Sequence, residues 1–389
     1  MTSKKEKIAY FDNAATTFPK PEIVYQFMDE FYRQYGVNVG RGQHRLANEA
    51  RLLVDDTRNR ILKLLHCKSD SKVIFSSSAT ESMNVILQGL PWKKGTTVYV
   101  SPFEHNAVMR VLNHINGKYS MNLQVLHVDP ATLEYDEESI KYQFQDQAPN
   151  LVIVSHASNV CGAVAPIKEI FDLAKTYNAV TVVDMAQTAG LVDTDLSVVK
   201  ADFAVFAGHK TLYGPLGVGG FIFKNVIKIN PLLYGGTGVD SANPDLPEEI
   251  PERFEVGSPN ILAISGLNAA VKWIENTTIE EIYKREQENK KRLINLLKNY
   301  DNIKILLPDH EESIGVLSCI FDNYASDSIG KVLDEHRVAV RTGLHCSPSA
   351  HRFMKTFPVG TVRFSVSYFT SEEDIEILAR ALDYIENNS

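Results

Sequence analysis

Apolar positions along the chain follow two rhythms, one helical and one of short β-branched runs. From about Pro19 to Tyr35, Ile23, Val24, Phe27, Met28 and Phe31 recur at helical spacing, with Pro21 suited to a first turn and Gly36 as a stop. A second helix is predicted over Leu46–Leu65, with Leu52, Leu53, Ile61, Leu62 and Leu65 on one side. Strand and helix then alternate. Strands are predicted at Val73–Phe75, Thr97–Val100, Leu123–Val128, Leu151–Ser155 and Val180–Val183, and helices at Ser78–Leu90, His105–Ile115 and Ile167–Tyr177. Strands this short and apolar, separated by helical patterns, predict a largely parallel sheet covered on both faces. The fold class is α/β.

The texture changes between about Asn225 and Pro259, where Gly235, Gly236, Gly238, Pro244, Pro247 and Pro251 crowd a stretch without periodicity. Such a connection is functional or a boundary. Beyond it, helices at Ile264–Glu275, Ile279–Leu297 and Glu372–Ile385 mix with strands at Ile303–Leu306, Val316–Phe321 and Val338–Val340, predicting a smaller α+β domain. The charges on the second of these helices read as a solvated face.

Composition narrows the function. Hydrophobic residues make up 44% and charged residues 23% of the 389, the balance of a globular protein large enough for two or three domains. The 40 basic and 48 acidic residues leave a formal charge of −8, which argues against a nucleic-acid footprint. No apolar run approaches the roughly 20 residues of a membrane span. Met1–Lys7 is charged and lacks the apolar core of a signal peptide. Cys67, Cys161, Cys319 and Cys346 share no CxxC spacing, so neither a disulfide scaffold nor a metal site is expected. The expectation is a cytoplasmic enzyme that engages neither membrane nor nucleic acid.

Candidate chemistry centres on Asp202–Gly220, where an apolar strand delivers His209 and Lys210 into a glycine-rich turn. Ligands of α/β sheets bind at strand ends, so this lysine differs from the solvated majority. Asp184 ends another apolar strand. A carboxylate there is commonly a helix cap; its functional alternative is to pair with a ring-nitrogen cation and strengthen that ring as an electron sink. Thr80 lies in the turn Ser76-Ser-Ser-Ala-Thr-Glu-Ser82, where hydroxyls and free N–H groups at a helix start suit a phosphate. An amine, a ring-nitrogen acid and a phosphate cup together specify pyridoxal 5′-phosphate.

The motifs carrying these residues fall in a recognisable order. They are Tyr10-Phe-Asp-Asn-Ala-Ala-Thr-Thr17, Ala79-Thr-Glu-Ser82, Glu104-His105, Ser158-Asn159, Asp184–Gln187, Gly208-His-Lys210, Arg253–Pro259, Arg341-Thr-Gly-Leu-His-Cys346 and Val362-Arg363. In this order the chain resembles the cysteine desulfurase and selenocysteine lyase family, class-V aminotransferase-like enzymes of fold-type I. The resemblance implies a large cofactor-binding domain over 15–258 and a small domain from 1–14 with 259–389. It implies that Lys210 holds the cofactor covalently, His105 stacks on its ring, Asp184 meets the ring nitrogen, and Gln187 and Asn159 line the hydroxyl edge. Thr80 and His209 would bind the phosphate. Ser258 stands where the family usually has Thr reaching across a homodimer. Arg363 would clamp the substrate carboxylate, with Asn159 nearby, and Arg41 and His44 match a loop at the site entrance.

Cys346 decides the reaction implied. Free cysteines are usually small buried hydrophobes, the reading that suits Cys67 and Cys319, but Cys346 follows Arg341 and His345 and precedes Pro348. The resemblance gives it the persulfide formed as L-cysteine becomes L-alanine, the sulfur passing on to an acceptor protein or small thiol. L-Selenocysteine lyase activity, or less readily a class-V aminotransferase or epimerase, are the alternatives. The short interval from Cys346 to Arg363 is like the group II branch, whereas Ala79-Thr-Glu-Ser82 is like group I. Ala207 departs from the pattern, since close relatives carry Ser or Thr three residues before the lysine; Ser77 and Ser78 are the nearby hydroxyls.

Overall fold

The computed structural model describes residues 7–39, 44–224, 227–239, 242–308 and 313–388. The N-terminal part comprises β1 (Ala9–Tyr10), α1 (Glu22–Tyr35) and α2 (Arg45–Leu64). Next come β2 (Ser71–Ser76), α3 (Ala79–Gly89), β3 (Thr97–Val100), α4 (Asn106–Tyr119), β4 (Asn122–Val125) and α5 (Glu137–Asp146). They are followed by β5 (Leu151–Ser155), α6 (Ile167–Lys175), β6 (Val180–Asp184), β7 (Phe203–Ala207) and β8 (Gly219–Lys224). The C-terminal third holds α7 (Ile261–Thr277), α8 (Ile279–Leu297), β9 (Ile303–Leu306), β10 (Val316–Phe321) and α9 (Ser326–Glu335). It closes with β11 (Val338–Ala339), β12 (Arg341–Gly343), α10 (Pro348–Phe353), β13 (Thr361–Ser365) and α11 (Glu372–Asn387).

The sequence places α1 slightly early. Lys20 precedes Pro21, and a residue before proline is turned away from the α region, so the helix starts only at Glu22 with Pro21 as its cap.

Seven strands form one sheet in the order β2-β8-β7-β6-β5-β3-β4. β7, β6, β5, β3 and β4 run parallel, while β8 pairs antiparallel with both β7 and β2. Alternate side chains feed opposite faces, as a period of two requires. Val152, Val154, Val183, Ala204 and Phe206 join the core shared with α1, α2 and α7, whereas Leu151, Ile153, Val182, Phe203 and Val205 pack with α3 and α4. These five-residue strands are buried on both faces, which is why they read as unbroken apolar runs.

A second, antiparallel sheet runs β12-β13-β10-β9 and is backed by α8, α9 and α11. β1 pairs with β11 beside it, and Asp12 bridges to Ser365. The chain therefore runs beside this sheet at Ala9–Tyr10 and crosses at Asp12–Thr17 to the strand ends of the large one. That crossing brings residues of both sheets to one cavity.

Candidate active site

A cavity of about 210 Å³ opens where β5, β6 and β7 end. Into it the structure brings Thr80, His105, Asn159, Asp184, Gln187, His209, Lys210 and Arg363 together. These residues lie on six separate segments of the chain, so only the fold unites them.

Asp184 is the last residue of β6, and its Oδ1 accepts from the Ala186 N–H at 2.9 Å. Burial pushes this carboxyl upward, against that backbone bond and the nearby Lys210 charge. Lys210 sits three residues past the end of β7. Burial lowers its amine to about 8, although Asp184 pulls the other way. It is half-buried, and no hydrogen bond holds its Nζ among the described residues. At pH 7 roughly a tenth of such an amine is neutral, against well under a hundredth for an ordinary lysine, which makes it a more competent nucleophile.

His105 caps α4, its Nδ1 accepting from the Ala107 N–H at 3.0 Å. That bond puts the proton of the neutral ring on Nε2. Burial, then the Lys210 charge, lowers His105 to about 4, so the ring is neutral and suited to stacking. Gln187 donates to the Ala14 carbonyl at 2.9 Å, tying the crossing segment to the loop after β6.

At the phosphate-like end, Ser78 caps α3 and accepts from the Glu81 N–H, and Thr80 follows in the first turn. Ser77 donates to Glu81 at 2.5 Å, so its hydroxyl is committed, whereas the Ser78 hydroxyl hydrogen has no acceptor among the described residues. Ser78, not Ser77, lines the cavity beside Ala207. Gly219 lets β8 approach: a Cβ there would lie 2.9 Å from the Ser78 carbonyl carbon and 3.0 Å from the Ala79 nitrogen. His209 is lowered to about 4 by burial and by Lys210 and Lys20. Its buried Nδ1 has no partner.

Opposite, Arg363 is 1% exposed on β13. Its Nη2 donates to Asp12 at 2.6 Å and its Nη1 to the Asn159 carbonyl at 3.0 Å. Nε is buried without a partner, and a guanidinium has five donors, so a carboxylate can still be accepted. Asp12 as its anchor, 351 positions away, was not singled out by the sequence, although it lies inside the first motif quoted.

Cys346 lies on the turn between β12 and α10 and is half-buried, not fully exposed. His345 and Cys346 have φ of 48° and 59°, two consecutive left-handed residues that lack glycine's freedom. The surroundings hold this strained turn. Asn106 N–H donates to the Cys346 carbonyl at 2.7 Å, Asn159 Nδ2 to the His345 carbonyl at 2.7 Å, and Ser347 to Asn159 Oδ1 at 2.7 Å. Arg341 Nη2 donates to the Cys346 sulfur at 3.2 Å. Asn159 thus lines the cavity while its amide grips the cysteine turn. Arg341 and His345 line the cavity too, so the sulfur sits one residue from its wall.

Two expected residues stand apart. Ser258 is exposed, outside the cavity, and accepts from Asn38 at 3.0 Å. His44 caps α2 through Ala47. Arg41 lies outside the described residues. The other cysteines fit a packing role: Cys161 and Cys319 are buried and pushed upward, and burial takes Cys67 up to about 12.

This is the α/β architecture of fold-type-I transferases, with a lysine and a carboxylate at adjacent strand ends. Comparison with known proteins agrees. The profile of the family described as aminotransferase class-V matches residues 9–378. A probable cysteine desulfurase of Pyrococcus abyssi is 33% identical over 97% of this chain and 94% of its own length. One from Methanothermobacter thermautotrophicus is 30% identical over 97% and 94%. The apo structure of a cysteine desulfurase from Thermococcus onnurineus superposes with a TM-score of 0.90 at 29% identity, covering 98% of this chain and 95% of the other. The chain belongs to the class-V aminotransferase family and, within it, to the cysteine desulfurases. No helix among the described residues is long and apolar enough to cross a membrane.

Proposed function

We propose that this protein is a pyridoxal 5′-phosphate-dependent cysteine desulfurase, converting L-cysteine to L-alanine and carrying the released sulfur on Cys346. The observation that carries the proposal is the Cys346 turn, pinned by Asn106, Asn159 and Arg341 against a cavity that contains Lys210 and Asp184.

The residues fit the cofactor. The cavity has an unpaired lysine amine, a buried carboxylate, an unpartnered His209 Nδ1 and a helix start with a free hydroxyl. Lys210 would hold it covalently, Asp184 would meet its ring nitrogen, His105 would cover its face, and Ser78, Thr80 and His209 would take its phosphate. Bound there, it supplies an electron sink that loosens the Cβ–S bond of the substrate. Arg363, held by Asp12 and the Asn159 carbonyl, orients the substrate carboxylate. Lys210, whose amine lies in the cavity, would also be the group that moves the Cα proton. Arg341 holds the Cys346 sulfur in position for attack. In the net change the Cβ–S bond breaks, an S–S bond forms on Cys346, and one thiol hydrogen ends on Cβ, so no outside oxidant is needed.

The sulfur then leaves to an acceptor protein or thiol. Ser258, exposed and away from its own cavity, supports a homodimer in which it reaches the partner's site. The test is Cys346→Ala. The variant should stay yellow and cofactor-loaded yet fail to gain a sulfur atom, by intact-chain mass, on incubation with L-cysteine. Full sulfur transfer by that variant would refute the assignment.

A further inference from the structure

The sheet does not hold the lysine on which the proposed function rests. The β7–β8 ladder ends at Ala207, paired with Gly219, so His209 and Lys210 need other partners. The Gly208 N–H and carbonyl are taken by Val218 and Gly214. Beyond that point the Lys210 carbonyl accepts from the Tyr213 N–H at 2.8 Å within the turn, and further bonds reach His209 and Lys210 from residues 16–20.

Lys20 Nζ donates to the His209 carbonyl at 2.6 Å and to Thr17 Oγ1 at 2.8 Å. Thr17 Oγ1 in turn donates to the Lys210 carbonyl at 2.9 Å. The His209 carbonyl also accepts from the Thr16 hydroxyl at 3.0 Å and the Thr17 N–H at 3.2 Å. Since Thr17 Oγ1 has one hydrogen, accepting from the Lys20 amine leaves it free to point at Lys210. Burial lowers that amine to about 7; it can donate in either protonation state, and its charged form also polarises the hydroxyl. Lys20 precedes Pro21, which restricts its backbone. It does not line the cavity.

We propose that Lys20, acting through Thr17, is a positioning residue that fixes the main chain of His209–Lys210 and so aims the Lys210 amine. Its role is distinct from phosphate binding, and the inference rests on the reading of Lys210 as the cofactor lysine. The experiment is titration of the apoprotein with pyridoxal 5′-phosphate and with unphosphorylated pyridoxal, followed by borohydride trapping and mapping of the linked residue. Wild-type protein linked elsewhere than Lys210 would refute the proposed function itself. With linkage at Lys210, Lys20→Met and Thr17→Val should each weaken binding of both compounds by roughly fivefold, the size of one net hydrogen bond of about 1 kcal/mol. Thr17→Ser, which keeps the hydroxyl, should restore it. Lys20→Gln retains an N–H donor and serves if Lys20→Met does not fold; an intermediate loss is expected. Wild-type affinity in both variants, a loss confined to the phosphorylated compound, or lower melting temperature with unchanged linkage would each overturn the inference.

Discussion

The molecule contains two acid–lysine neighbourhoods that look alike on paper. On α8, Glu286 and Lys290 are buried, burial raising the acid to about 7 and lowering the amine to about 8. At the strand ends, Asp184 is also raised and Lys210 lowered to about 8. Their surroundings separate them. Glu286 accepts the Gly315 N–H at 2.8 Å, and Lys290 donates to the Ser313 carbonyl at 2.8 Å and to its hydroxyl. Lys210 has no such bond, and next to it Arg363 Nε and His209 Nδ1 lack partners. A shifted pKa marks burial in both places. Unpartnered polar atoms on residues that line a cavity mark the one prepared for a ligand.

The most demanding way to break this comparison is Asp184→Asn. The amide keeps the acceptor for Ala186 but removes the charge proposed to hold the ring nitrogen protonated. Sulfur transfer should fall roughly a hundredfold or more in kcat/KM. The apoprotein should be no less stable, because a buried carboxylate without a direct ionic partner is costly to keep. A variant that loses stability and retains turnover would place Asp184 with Glu286, as a structural group.

The converse test is Glu286→Leu. Removing one member strands Lys290 and the Gly315 N–H, and should cost about 3 kcal/mol in denaturant unfolding. Glu286→Leu/Lys290→Met should recover most of that loss, and both variants should stay yellow. Loss of colour without loss of stability would move this pair into the functional category.

Why the two regions were not equally legible in the sequence follows from how each is built. Strands buried on both faces announce themselves, and β3 and β5 were placed to the residue from their apolar runs alone. Helix α8 was also placed to the residue, yet its charges do not all form a solvated face: Glu286 and Lys290 turn inward toward Gly315 and Ser313, partners beyond any local pattern. Helices α5 and α9 leave little pattern in the sequence because each buries little, Ile140 and Phe144 in one and Ser326, Ile329 and Leu333 in the other. Asp184 is legible because its short strand ends on it, and Lys210 because it follows three residues after the end of another. The Asp12–Arg363 pair and the grip of Asn159 on the Cys346 turn were not. Both depend on contacts 186 or more positions apart, which periodicity cannot report.

The smallest effect sharpens the comparison most finely. If the cavity end near α3 is short of a hydroxyl, adding one should improve ligand binding, whereas the saturated α8 pair has nothing to gain from a new donor. Ala207 is the place to try, because it lines the cavity at the end of β7 beside Ser78. Ala207→Ser adds one oxygen on the cavity side, and a net hydrogen bond of about 1 kcal/mol corresponds to roughly fivefold tighter pyridoxal 5′-phosphate in apoprotein titration. Unphosphorylated pyridoxal should bind unchanged, since the new hydroxyl has no anion to meet. Equal tightening of both compounds would mean that the serine acts on the strand end and not on the phosphate. No change would mean that Ser78 already supplies the donor that Ala207 lacks.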